Sequence, residues 1–158
     1  RGGGRTAYAN AIDVAQQHLA NKGRADAQHV IIFLSDGAAN YGPSYYPNSS
    51  PYRATPCRQG VTSSGWAKDA GTLVYSIGYD LDGGNATYEQ CHPAWWSGGQ
   101  NNQLEQPPIT SFEAIQAIAS DPATFYNRPD PGQLNTIFTA IAADIGSRFA
   151  QLIDDDAS

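Results

Sequence analysis

The stretch Val30-Ile31-Ile32-Phe33-Leu34-Ser35-Asp36-Gly37 decides the architecture of this 158-residue chain. It holds five consecutive apolar residues, rich in β-branched side chains, without the alternation of a half-buried strand. The run predicts a short strand covered on both faces, and hence a parallel one. Ser35-Asp36-Gly37 closes it with turn-forming residues. A second run of the same kind, Thr72-Leu73-Val74-Tyr75-Ser76-Ile77, follows Gly71 and is closed by Gly78. The segment Gln59 to Ala70 between them has only weak helical character, because Gly60 and Gly65 interrupt it. Strand, crossover helix, strand is the pattern of a parallel sheet.

Working outward, Ala11, Ile12, Ala15 and Leu19 share one helical face, and Gly2-Gly3-Gly4 before them resists helix formation. A helix from near Thr6 to Ala20 is expected. Towards the C-terminus, Thr110 and Glu113 stand in the T-x-x-E relation of a capping box before Phe112, Ile115, Ile118 and Ala119. Asp121-Pro122 stops that helix, and Thr124 to Asn127 offers a brief strand. Asp130-Pro131 then opens a helix carrying Leu134, Ile137, Phe138, Ile141 and Ile145, expected to end near Gly146. The alternation predicts one α/β domain, a doubly wound, mainly parallel sheet with helices on both faces.

Two connections are unusually long. Ala38 to Cys57 contains Tyr41, Tyr45, Tyr46 and Tyr52, and Tyr79 to Pro108 contains Trp95 and Trp96. Both leave the carboxyl ends of parallel strands, the edge where open α/β sheets bind ligands. Their aromatic residues suit stacking on sugars, anchoring a protein partner, or packing the loops onto the domain. Cys57 and Cys91, the two cysteines, lie in polar segments without CxxC or Cys/His zinc spacing. A disulfide between them would pin the two loops together above the binding edge; the alternative is two unrelated free thiols. A disulfide implies an oxidising compartment, where the sequons at Asn48 and Asn85 become usable.

The charge balance excludes one class of partner. Lys and Arg total 9 against 15 for Asp and Glu, a net charge of −6, so no basic surface is available to neutralise phosphates. No stretch approaches the roughly 20 apolar residues of a membrane span, and no charged-then-apolar leader stands at Arg1. A chain opening at Arg1 and containing no Met is expected to be processed or partly observed.

An apolar strand ending in Asp places a carboxylate at the ligand edge, although Asp36 could equally cap the following turn. No GxxxxGK[ST] phosphate loop and no G-x-S-x-G elbow exists. His18, His29 and His92 suit surface or packing roles better than catalysis. More specific is a three-part combination: Gly3-Gly4-Arg5-Thr6 opening a helix with Ala11-Ile12, then Val30 to Gly37, then Ala70-Gly71-Thr72-Leu73-Val74-Tyr75-Ser76-Ile77-Gly78. In that order it resembles the middle of a von Willebrand factor type A domain, and the likeness runs from about Gly3 to about Ile145. The closing stretch, including Phe125-Tyr126 and Leu134 to Phe138, is similar to the type A domains of bacterial surface and Tad-like pilus-assembly proteins.

The resemblance implies a metal-ion-dependent adhesion site, with Thr6 and Asp36 as metal ligands and Mg²⁺, or Mn²⁺ or Ca²⁺, as the cofactor. The family's DxSxS string, which carries the remaining direct ligands, is absent, as are the earlier strands and helix. Residues 1–153 are therefore expected to be the C-terminal part of one type A domain, incomplete at its N-terminus, with 154–158 an acidic exit segment. The expected function is an extracellular or cell-surface module mediating metal-dependent protein adhesion or pilus and surface assembly. The alternative is a structural subunit of a surface fibre without a functional metal site. An enzyme, such as a hydrolase holding a glycan on the aromatic loops, lacks a nucleophile–base pair. The expected partners are a protein or matrix component at the metal edge, together with a preceding segment or another chain that completes the sheet. If Val30–Leu34 lacks its neighbouring strand, the 158 residues alone will give a broad, non-cooperative melt by circular dichroism.

Overall fold

The computed structural model describes residues 5–43, 55–79, 90–92, 104–127 and 131–155. Contacts divide the chain into two compact units, Arg1–Arg128 and Pro129–Ser158. In the first, α1 (Tyr8–Lys22), β1 (Val30–Ser35), α2 (Pro56–Asp69), β2 (Leu73–Gly78), α3 (Ser111–Ile118) and β3 (Phe125–Asn127) alternate. The strands form a three-stranded parallel sheet in the order β1-β2-β3. The second unit holds one helix, α4 (Pro131–Asp155), which runs through Gly146, where the sequence suggested an end, and on through Asp154 and Asp155. Among the described residues no helix is long and apolar enough to cross a membrane.

Register fixes the two faces of the sheet. Ile31 is opposite Val74 and Phe33 opposite Ser76, so these residues share a face. On it Tyr8 and Ile12 of α1, Cys57 and Ala67 of α2, and Ala114, Ile115 and Ile118 of α3 close a single apolar core. Ser76 Oγ donates to the Ile115 carbonyl oxygen at 2.7 Å, and Thr72 Oγ1 to Gln16 Oε1 at 2.7 Å, so these two strand hydroxyls are matched by the helices. Strand–helix–strand crossovers are right-handed almost without exception, so a sheet that grows in one direction puts its crossover helices, here α2 and α3, on one face; α1, which precedes β1, joins the same core through its own packing.

The other face corrects one expectation. Ile32 and Leu34 were expected inside, yet they are 42% and 48% exposed, while their partners Tyr75 and Ile77 are fully buried. Among the described residues no strand pairs with the outer edge of β1, which is an edge strand with apolar side chains on an open face.

α2, the expected crossover helix, is a full helix across Gly60 and Gly65 despite its weak helical character in sequence. Pro56 sits at its first turn, where the missing N–H costs nothing. A Cβ at Gly60 would lie 2.5 Å from the Tyr8 Cβ, so this glycine permits the close approach of α1 and α2. Nothing lies within 4 Å of a Cβ at Gly65. α3 begins as expected, with Thr110 Oγ1 accepting from the Glu113 N–H at 3.1 Å and the Glu113 carboxylate accepting from the Thr110 N–H at 2.8 Å.

The two glycines separate packing from propensity. Gly60→Ala forces α1 and α2 apart and should cost about 1–3 kcal/mol. Gly65→Ala should instead stabilise by about 0.5–1 kcal/mol through helix propensity. Denaturant midpoints of the intact natural protein would show the opposite signs.

Candidate functional site

Parallel strands point their carboxyl ends to one edge, and the two sequence-predicted residues both lie on segments at that edge. Asp36 directly follows β1 and is exposed; Thr6 is half-buried, two residues before α1. The structure laces their two segments together. The Thr6 N–H donates to Asn40 Oδ1 at 2.7 Å, and the Thr6 carbonyl oxygen accepts from the N–H groups of Asn40 and Tyr41 at 2.9 and 3.1 Å. Tyr8 donates its hydroxyl to the Gly37 carbonyl oxygen, which also accepts from Ser35 Oγ at 3.0 Å. The Arg5 guanidinium stands 4.8 Å from the centre of the Tyr41 ring, a cation–π contact. Residues 5–8 and 37–41 are thus fastened to each other by backbone, side-chain and ring contacts. Asn40 is the central fastener, and nothing in its sequence setting marks it.

A second fastening lies at the start of α2. Cys57 and Cys91 form a disulfide with their Cα atoms 6.2 Å apart, and both are fully buried. Cys57 stands in the first turn of α2 rather than closing a loop. Thr55, the residue before that helix, makes no side-chain capping bond. The open amides are met from 48 residues away by Glu105, which accepts from the Cys57 N–H at 2.8 Å through Oε1 and from the Arg58 N–H at 3.2 Å through Oε2. Glu105 has no exposed surface. Burial pushes its carboxyl up to about 7, against the opposing pull of these two amides and the Arg58 charge.

Around this carboxylate the chain is tied several times. The Glu105 N–H donates to the Cys91 carbonyl oxygen, and the Cys91 N–H to that of Ile109, each at 2.9 Å. Arg58 Nε and Nη2 donate to the Pro107 carbonyl oxygen at 2.9 and 2.6 Å. The Cys57 Sγ lies 4.0 Å from the Ala39 carbonyl oxygen, so this fastening abuts the segment that holds Asn40. Residues Cys57, Cys91 and Glu105 bring their potential ligand atoms within 4.8 Å of one another. With both sulfurs joined, however, they offer a cation only one carboxylate, already bonded to two amides. Sequence reading missed Glu105 because Leu104-Glu105-Gln106 belongs to no apolar run and no motif that separates it from a surface glutamate.

None of the histidines takes part in the bonds of either fastening described above, although His92 directly follows Cys91. His18 is exposed on α1, while His29 and His92 are half-buried. A groove of about 390 Å³ between α1 and α2, lined by Asn10, Asp13, Val14, Gln17 and Trp66, places no nucleophile beside a base. Tyr45, Tyr46, Tyr52, Trp95, Trp96 and the sequons at Asn48 and Asn85 lie outside the described residues.

Removing the disulfide by Cys57→Ala with Cys91→Ala should cost the intact protein about 2–4 kcal/mol, given the loop it closes. Asn40→Ala, which leaves the Thr6 N–H to water, should cost about 1 kcal/mol. Urea midpoints on the two variants give the comparison.

No family model, no curated protein and no solved structure matches this chain.

Proposed function

We propose that this chain is the C-terminal part of a type A-like adhesion module, which binds a protein or matrix partner through a divalent cation at the carboxyl edge of its sheet. The observation that carries this reading is the lacing of residues 5–8 to residues 37–41. It holds the Thr6 segment against the segment that begins with Asp36, at the end of an apolar parallel strand. The Thr6 hydroxyl and the Asp36 carboxylate suit a hard cation such as Mg²⁺, Mn²⁺ or Ca²⁺ as part of an all-oxygen ligand set. Two ligands do not make a tight site, and the remainder belongs to a strand beside β1. When bound, the cation supplies positive charge to an acidic group of the partner. Asn40, held to Thr6 through its own amide oxygen, positions that segment rather than ligating.

The uncovered β1 edge supports the same reading. The sheet grows in one direction from β1 to β3, so by the usual right-handed crossover rule the strands and helices that would make it doubly wound belong beyond β1. Ile32 and Leu34 supply the apolar surface that such an addition would cover. The same exposed edge also favours a second reading, a surface or pilus fibre subunit whose sheet is completed by another chain, with the metal incidental. An extracellular or cell-surface setting follows from the resemblance and suits the disulfide.

Titrating Mg²⁺ or Mn²⁺ into the complete domain while following melting temperature separates the two. Adhesion through the metal expects stabilisation of about 2.7 kcal/mol at a hundredfold excess over Kd, abolished by Asp36→Ala. No shift, with Asp36→Ala also silent, favours the structural subunit.

A further inference from the structure

Cys57 occupies a position that ordinarily makes a thiol reactive. It stands in the first turn of α2, where unbonded amides and the helix dipole stabilise a thiolate and pull its pKa below the usual value of about 8.5. A disulfide made by such a cysteine exchanges readily, because a thiolate of low pKa leaves faster. In this chain the amides are already taken. Glu105 accepts from the Cys57 N–H at 2.8 Å through Oε1 and from the Arg58 N–H at 3.2 Å through Oε2, and a carboxylate oxygen lies within 4.8 Å of both sulfurs.

We infer that Glu105 makes the Cys57–Cys91 disulfide resistant to reduction, a fixed strut rather than an exchangeable bond, by occupying the α2 amides and setting a negative charge against both sulfurs. Reduction by a dithiol takes two displacements. A thiolate of the reductant bonds to one sulfur as the S–S bond breaks, and its electron pair leaves on the other sulfur as a thiolate. The reductant's second thiolate then closes the reductant's own disulfide and expels the remaining protein thiolate. The reductant is oxidised, Cys57 and Cys91 are reduced, and water supplies their protons. Each departure sets a new anion within 4.8 Å of the Glu105 carboxylate. Like charges so close raise the pKa of the thiol, and a leaving group of higher pKa departs less readily.

The carboxylate is held where it acts. Besides the two α2 amides, the Glu105 N–H donates to the Cys91 carbonyl oxygen at 2.9 Å, which ties the glutamate's backbone to the second cysteine. The neighbouring charges leave its field in place. Arg58 turns its guanidinium to the carbonyl oxygens of Pro107 and Pro108, and Glu113 spends its carboxylate on the Thr110 cap. His92 directly follows Cys91, so the thiols are best titrated above the ordinary histidine range of about 6.5. That range also keeps Glu105, pushed up to about 7 by burial, largely ionised. Cys57 and Cys91 have no exposed surface, and a reduction rate would report how often the site opens. Equilibrium measurements avoid this.

The intact natural protein and its Glu105→Gln variant, equilibrated with reduced and oxidised dithiothreitol at about pH 8.5 and alkylated for mass spectrometry, give the first test. The variant should be half-reduced at an about tenfold lower ratio of reduced to oxidised reagent, a potential about 30 mV less negative. An unchanged potential overturns the inference. A weaker fold alone could also ease reduction, so the thiol itself is titrated, through the Cys57 and Cys91 ¹³Cβ shifts of the reduced proteins. Glu105→Gln should lower the Cys57 midpoint by at least about one pH unit. A smaller fall, no change or a rise overturns the inference, and a reduced chain that loses this geometry gives equal midpoints and counts against it too. Should Glu105→Gln fail to fold, the wild-type protein decides, because its two cysteines are equally buried. A Cys57 midpoint at or above that of Cys91 supports the occupied helix start; one below it overturns the inference.

Discussion

The structure depends on handedness acting on a sheet that grows in one direction. β1, β2 and β3 are laid down in order, and right-handed crossovers then leave α2 and α3 no choice of side. α1 packs with them because Gly60 lets α2 approach the Tyr8 side chain. Every apolar residue of the main cluster is recruited to that face, from Ile31, Phe33 and Val74 in the strands to Ile115 and Ile118 in α3. Ile32 and Leu34 lie on the opposite face at the unpaired edge and are exposed, while Tyr75 and Ile77 of β2 on that face are fully buried.

Two chemically distinct fastenings hold the connecting segments beyond the carboxyl ends of the strands. Near Thr6 the fastening is neutral: amide and carbonyl bonds through Asn40, a tyrosine hydroxyl on Gly37 and a ring under Arg5. At α2 it is covalent and ionisable, a buried disulfide beside a buried carboxylate. The first leaves Asp36 exposed. The second joins residues distant in sequence, so it limits the freedom of the unfolded chain as well as shaping the folded one.

Local chemistry was legible wherever neighbours in sequence decide it. Thr110 and Glu113 form their reciprocal cap, α3 ends before Asp121-Pro122, and Phe125–Asn127 is a strand. Reading failed where the deciding partner is remote. Gly60 reads in sequence as weakening the crossover helix, but its missing side chain is what α1 needs. Leu34 looked buried because its composition matches a central strand, yet composition does not say whether a neighbour is present. Glu105 was invisible because its role is created by amides 48 residues earlier.

By itself the sequence determined the parallel α/β pattern, the order of its elements and the placement of Asp36 at a strand end. Apolar runs, glycine boundaries and capping pairs act over a few residues and are written locally. Only the tertiary structure decided which face of β1 is covered, that Asn40 ties Thr6 to the neighbouring segment, and that Glu105 closes α2 beneath the disulfide. Each of these depends on groups far apart in the chain, brought together by crossovers whose hand the sequence does not spell out.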